Sequence, residues 1–274
     1  MRRTFAFLTL LFLVSLFFAS PAAVQTQQET PQKPVYQPTG KEATLVGSIL
    51  VNAKIPERWK LDMTADPVCA KLNQPQARLD DLLTTNQALL NAFVYIKSGE
   101  PLDAYSFEVP QSEVVLGHKD CRFVPHVVGV RAGQRVSIIN NDPTVHNTHP
   151  TPRINREWNM SQAPGGEPFI TTFIHPEQFI PVKDNHHSWE RAIVGVFAHP
   201  FFAVSDQLGN YEIRGLPPGT YKLVVWHEKL GEQEMEITVA PGENRRIDFT
   251  FDVPEKFRSL KPEAGSSQIR NPGI

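Results

Sequence analysis

The stretch VKDNHHSWERAIVGV, residues 182–196, sets Asp184, His186, His187 and Glu190 within seven residues, just ahead of an apolar run. Imidazole nitrogens and carboxylate oxygens hold divalent Zn(II) or Cu(II), whereas Cu(I) prefers soft sulfur, and this loop has no cysteine. Asp184, His187 and Glu190 recur at intervals of three, and His146 in the upstream segment NNDPTVHNTH is the candidate fourth ligand. His149 and His186 each adjoin one of these residues and are possible extra ligands. The same side chains also suit a polar turn that solvates the rim of a sandwich.

The compartment and the fold decide what such a loop can do. Arg2 and Arg3 precede the apolar run Phe5 to Phe18 and the small residues ASPAA, the pattern of a secretory signal over residues 1–22. The run is shorter than the roughly twenty residues a spanning helix needs, and no later stretch reaches that length. The expected product is periplasmic or extracellular, exported by the general route or, as the two arginines also allow, by the twin-arginine route. There are 29 acidic against 27 basic residues, and losing Arg2 and Arg3 leaves the chain more acidic, which argues against nucleic acid. Cys69 and Cys121 are an even pair in an oxidising compartment and are expected to form a disulfide. Closing that 52-residue loop contributes about 4 kcal/mol in the chain-entropy model.

Residues 23–42 are rich in Gln, Thr and Pro and read as a disordered spacer, and the tail 254–274 reads likewise. Between them, short β-branched and aromatic runs alternate with turn residues: ATLVGSILV, LLNAFVYIK, QRVSIINND, AIVGVF, NYEIRGL, TYKLVVWHE and RRIDFTF. This is the signature of an all-β chain built from antiparallel sandwiches. Asp80 to Leu90 is the best helix candidate.

The segment CRFVPHVVGVRAGQRVSIINNDPTVHNTH, residues 121–149, resembles the strand pair of plastocyanin-like cupredoxins, and PVKDNHHSWERAIVGV resembles their ligand loop. The resemblance implies a cupredoxin-like Greek-key sandwich over residues 43–200, with His146 and His187 at the two histidine-ligand positions. It departs where the chemistry is decided: Asp184 stands at the cysteine position and Glu190 at the methionine position. Further on, DQLGNYEIRGLPPGTYKLVVW resembles the carboxypeptidase regulatory-like domain, a small transthyretin-like sandwich expected over residues 201–253. That domain's opening strands, of the types found at Gly47 and at Asn91 to Ile96, lie far upstream. Either two domains follow one another, or the C-terminal one borrows strands from 43–97 around an inserted cupredoxin-like part.

A blue-copper centre needs a thiolate with two imidazoles, so the missing loop cysteine argues against it. Cys121 lies where the cupredoxin pattern has no ligand, and Cys69 serves best as the other end of the disulfide. Two readings remain. One is a binding or buffering site for one divalent ion, Cu(II) or Zn(II), held by His146, Asp184, His187 and Glu190. The other is a metal-free module that binds an envelope protein or a glycan. A hydrolytic zinc site with Glu190 as base is a minor third, and the chain is otherwise expected to be non-enzymatic.

Overall fold

The computed structural model describes residues 33–53, 55, 61–74 and 84–258. The signal-like segment 1–22 and residues 259–274 lie outside these, as do residues 23–32 of the expected spacer. The fold is all-β and contains two sandwiches. One is built from the two ends of the described chain and the other from its middle.

The terminal sandwich begins with Ala43–Val51, whose alternating burial marks a strand with one covered face. It runs antiparallel to Asn210–Leu216 and parallel to Asn244–Arg246 and Phe249–Phe251. In the facing sheet Phe93–Gly99 lies between Phe202–Val204 and Gly219–His227, and the latter pairs in turn with Gly231–Val239. Leu45, Ile49, Val94, Ile96, Leu223, Val225, Ile237 and Phe251 fill the space between the two sheets. Strands of residues 43–99 therefore complete sheets whose other members lie beyond residue 201.

The central sandwich holds a five-stranded sheet, in the order Met160–Gln162, His146–Pro150, Glu177–Lys183, Arg191–Phe197 and Val127–Arg131. It faces a four-stranded sheet of Phe169–Thr172, Arg135–Asn140, Val114–His118 and Phe123–Val124. The core between them is β-branched, with Val128, Val130, Val136, Ile138, Val182, Val194 and Val196. Because side chains alternate along a strand, the opposite faces of the inner sheets also meet. Phe93, Tyr95, Phe197 and Val224 form a third core there, joined by Phe179, Phe202 and Trp226. Gly195 fits this seam because a Cβ on it would lie 2.8 Å from both Phe93 and Phe197.

Three expectations change. Residues 84–90 form two short strands, Thr84–Thr85 and Ala88–Leu89, rather than a helix, and residues 80–83 lie outside the described ones. Asn86 and Gln87, both at positive φ, make the tight turn that joins the strands. Residues 33–42 are tied down rather than free: Val35 bridges Ser106, and the Tyr36 hydroxyl donates to Glu42. Past Pro254, Glu255–Arg258 makes one helical turn.

The entry of Ala43–Val51 into the terminal sandwich depends on Gly47, where an added Cβ would lie 1.7 Å from the Ile247 carbonyl oxygen. That obstacle is backbone, so the sheet itself must move. Gly47→Ala is expected to destabilise the protein by about 2–3 kcal/mol, read as a lower urea midpoint. An unchanged midpoint would show that this strand is not held as described.

Candidate metal centre

The site forms at one end of the central sandwich, where the ends of several strands meet. His118 closes Val114–His118, His146 opens His146–Pro150, and the loop from Asp184 to Glu190 joins Glu177–Lys183 to Arg191–Phe197. The loop is folded by its own backbone, with Asp184 N–H donating to the Glu190 carbonyl and Glu190 N–H to that of His187. Asp184 is pinned as well, because its Oδ1 accepts the backbone N–H groups of His186 (2.6 Å) and His187 (2.9 Å). This is an Asx-type turn, which explains why an aspartate starts the loop.

The four residues expected as ligands converge. His146 Nδ1 lies 3.1 Å from Asp184 Oδ2 and 2.9 Å from Glu190 Oε2. His187 Nδ1 lies 3.2 Å from the same Asp184 oxygen and 3.9 Å from the same Glu190 oxygen. Two imidazoles thus turn their Nδ1 atoms toward two carboxylate oxygens. Donors about 2.0–2.1 Å from one tetrahedral ion sit about 3.3 Å from each other; the contacts at 2.9–3.2 Å, which are also hydrogen-bond distances, are near such an edge, and the His187–Glu190 separation of 3.9 Å is longer than one. The side chains of His146, Asp184 and Glu190 have no exposed surface, and that of His187 is 5% exposed.

Two carboxylates compete for one imidazole nitrogen. Glu190 Oε2 is buried and lies 2.9 Å from His146 Nδ1, the same nitrogen that stands 3.1 Å from Asp184 Oδ2, so a single Nδ1 faces two carboxylate oxygens. Buried carboxylates so placed need positive charge, which an imidazolium supplies when the site is empty and a bound cation would supply in its stead.

Neighbouring carboxylates orient both imidazoles. Asp142 Oδ2 lies 3.1 Å from His146 Nε2, and Asp66 Oδ2 lies 3.1 Å from His187 Nε2. Carboxylates behind ligand imidazoles fix ring orientation and raise basicity. Burial opposes charge on His146, but Asp142, Asp184 and Glu190 outweigh it and raise the imidazole to about 11. His187 is also raised, against burial, by Asp184 and Asp66. Burial would raise Asp184 too, yet His146, His187 and the backbone N–H groups hold it well below the usual carboxylate range. Asp66 falls to about 2, with burial opposed by His187, Thr144 and the helix start it caps at Pro67–Leu72.

Sequence reasoning missed His118. Its ring stacks on His146 with centroids 4.5 Å apart, and it contacts Glu190 Oε1 at 2.6 Å and Thr148 Oγ1 at 2.8 Å. His118, His146, Asp184 and Glu190 all offer ligand atoms within 4.8 Å of one another. Strand alternation puts His118 on the same face as the buried Leu116, a signal that was available. His149 and His186 point elsewhere: His149 contacts Glu157 and Asn185, and His186 is exposed. Cys69 and Cys121 form a disulfide beside the site, covered by Leu61, Met63 and Trp189, whose indole N–H donates to the Cys121 carbonyl.

Comparison with known proteins adds a match for the C-terminal half. Residues 189–252 match the carboxypeptidase regulatory-like domain. The match covers less than half of the chain, and its first strand, Arg191–Phe197, pairs in the central sandwich. Solved structures similar to this chain include the copper-containing nitrite reductase of Thermus scotoductus SA-01, at 18% identity and TM-score 0.30, over 36% of this chain and 26% of that one. Others are the purple cupredoxin of Nitrosopumilus maritimus (15% identity, 32% of this chain and 100% of that one, TM-score 0.27) and amicyanin of Paracoccus versutus (20%, 38% and 97%, TM-score 0.27). The chain therefore spans about a quarter of the nitrite reductase. No curated protein matches it. The chemical reading rests on the side chains described above.

Asp184 Oδ2 stands almost equally far from both Nδ1 atoms, where a thiolate would have to lie to bind copper with both imidazoles. Asp184→Cys with Glu190→Gln, which keeps an oxygen for His118, is expected to give an intense visible charge-transfer band with Cu(II) that the parent protein lacks. A folded variant with a free new thiol and no band would show that the two imidazoles do not share one ion.

Proposed function

We propose that this protein is an exported, non-enzymatic metal-binding protein whose central sandwich holds one divalent ion, Zn(II) or Cu(II), through His146, Asp184, His187 and Glu190. The observation that carries the reading is the buried convergence of the Nδ1 atoms of two imidazoles on two carboxylate oxygens, with Asp184 Oδ2 and Glu190 Oε2 at 3.1 and 2.9 Å from His146 Nδ1 and Asp184 Oδ2 at 3.2 Å from His187 Nδ1. Two nitrogens and two oxygens suit both ions, and without sulfur the site is not blue copper. The bound ion would supply a compact double positive charge among four carboxylates, a structural staple for the loop ends.

Burial favours holding an ion over turnover. A hydrolytic zinc site keeps an accessible position for water and substrate, whereas these ligands are enclosed by Trp189, the disulfide and the segment around Asp66. Export is supported by the leader pattern of residues 1–22, and among the described residues no helix is long and apolar enough to cross a membrane. We read the central sandwich as inserted between strands of a regulatory-like sandwich. The pairing of Ala43–Val51 with Asn210–Leu216 and of Phe93–Gly99 with Gly219–His227 supports that order. The metal-free reading has its own support, since both ring nitrogens of His118 and of His187 already have polar partners.

Titration of the full-length, untagged, oxidised chain with Zn(II) and Co(II) separates the two readings. One equivalent is expected to bind and to raise the unfolding midpoint. His146→Ala or His187→Ala should weaken binding at least a hundredfold, and Asp142→Asn or Asp66→Asn roughly tenfold, the usual loss for an orienting carboxylate. A folded chain that takes up neither ion, or one whose uptake ignores both histidine substitutions, would leave the metal-free reading standing.

A further inference from the structure

The two imidazoles of the proposed site have a second edge, and the disulfide lies against it. Cys69 Sγ is 3.8 Å from His187 Nε2, on the opposite side of the ring from Asp184 and Glu190. Cys69, His146 and His187 offer ligand atoms within 4.8 Å of one another, and so do Cys121, Asp142 and His146. All of these residues are buried. A sulfur about 2.3 Å and a nitrogen about 2.0 Å from one metal ion are roughly 3.5–3.8 Å apart, so Cys69 already stands at ligand distance from His187. In the disulfide that sulfur carries no charge to share. As a thiolate it is a soft donor beside two imidazoles.

We propose that the Cys69–Cys121 disulfide masks a second metal site, in which reduced Cys69 joins His146 and His187 to bind a soft ion, Cu(I). A dithiol donor passes two electrons to the S–S bond and becomes a disulfide itself, and its two protons go to Cys69 and Cys121. The incoming ion then replaces the proton on Cys69 Sγ. Asp66 Oδ2, 3.1 Å from His187 Nε2, is an oxygen donor on the same edge. The surroundings tie both sulfurs to the imidazoles. Asp66 accepts the Cys69 backbone N–H and contacts His187, and Asp142 accepts the Cys121 N–H at 2.8 Å and contacts His146. Each half-cystine is thus fixed to the carboxylate that orients one histidine, so the sulfurs have little freedom to leave when the bond between them opens.

The proposal shares His146 and His187 with the divalent site but needs neither Asp184 nor Glu190, so the two readings fail separately. Oxidised protein that takes up neither Zn(II) nor Co(II) would end the divalent reading alone. For the present one, the full chain is reduced anaerobically with tris(2-carboxyethyl)phosphine and set to compete with bathocuproine disulfonate for Cu(I). Reduced protein is expected to remove one equivalent of Cu(I) from the chelator, and oxidised protein none. His187→Ala should lower the reduced affinity at least tenfold. A reduced chain that competes no better than the Cys69→Ser/Cys121→Ser variant overturns the proposal. So does one whose affinity ignores His187→Ala, because two thiols of an opened chain would then account for the binding. Cys121→Ser, which leaves Cys69 as a lone thiol, gives a second readout. Added Co(II) should give a thiolate-to-cobalt band that Cys69→Ser lacks, and its absence from folded Cys121→Ser would equally sink the proposal.

Discussion

A buried carboxylate must be matched by charge or hydrogen bonds on every side, and at Asp184 that requirement organises the end of the central sandwich. Its Oδ1 accepts the N–H groups that shape its own loop, and its Oδ2 accepts the N–H of Asn147 at 2.9 Å on the neighbouring strand. The same Oδ2 faces His146 and His187. One side chain therefore closes the loop, registers it against His146–Pro150 and brings two imidazoles together. Asparagine could replace one oxygen's hydrogen bonds but not the charge that both imidazoles face.

The rest of the fold holds that loop still. The loop's flanking strands, Glu177–Lys183 and Arg191–Phe197, lie between two cores, with Val182 and Val194 facing the inner one and Phe179 and Phe197 the aromatic seam. Phe179 sits at positive φ, an uncommon conformation for a bulky residue, where the strand pairing shifts register between Glu177 and Ile180. Its ring stacks on Trp226 of the terminal sandwich with centroids 3.8 Å apart. The contact connects the strand leading to Asp184 with a strand that pairs with Phe93–Gly99, far away in sequence. Packing of this kind makes the terminal sandwich a support for the site rather than a separate appendage.

Strand content was legible because it is written locally, as period-two alternation in Ala43–Val51 and as a β-branched run buried on both faces in Gly219–His227. The convergence of Asp184, His187 and Glu190 was legible because they are close in sequence, and the cupredoxin resemblance supplied His146. What stayed hidden depends on long-range pairing. His118 meets Glu190 across 72 residues, and Asp66 meets His187 across 121. No local pattern encodes such contacts. The expected helix over residues 80–90 failed for a local reason: two left-handed residues, Asn86 and Gln87, turn the chain back on itself.

The arrangement behind His146 and His187 shows why the two cysteines matter beyond chain entropy. Asp66 caps the helix that carries Cys69, and Asp142 holds the turn that carries Cys121 through the N–H groups of Asp120 and Cys121. Both carboxylates then reach inward to the Nε2 atoms of His187 and His146. An acidic group that only capped a turn could point its second interaction at water. Here each is shared between a backbone turn outside and an imidazole inside, while the disulfide closes the outer end of the frame. The ring planes of both histidines are therefore set from behind by one covalently closed structure and from the front by Asp184. With both edges fixed, the imidazoles cannot rotate away to satisfy a hydrogen bond elsewhere, and His146 Nδ1 keeps facing both Asp184 and Glu190.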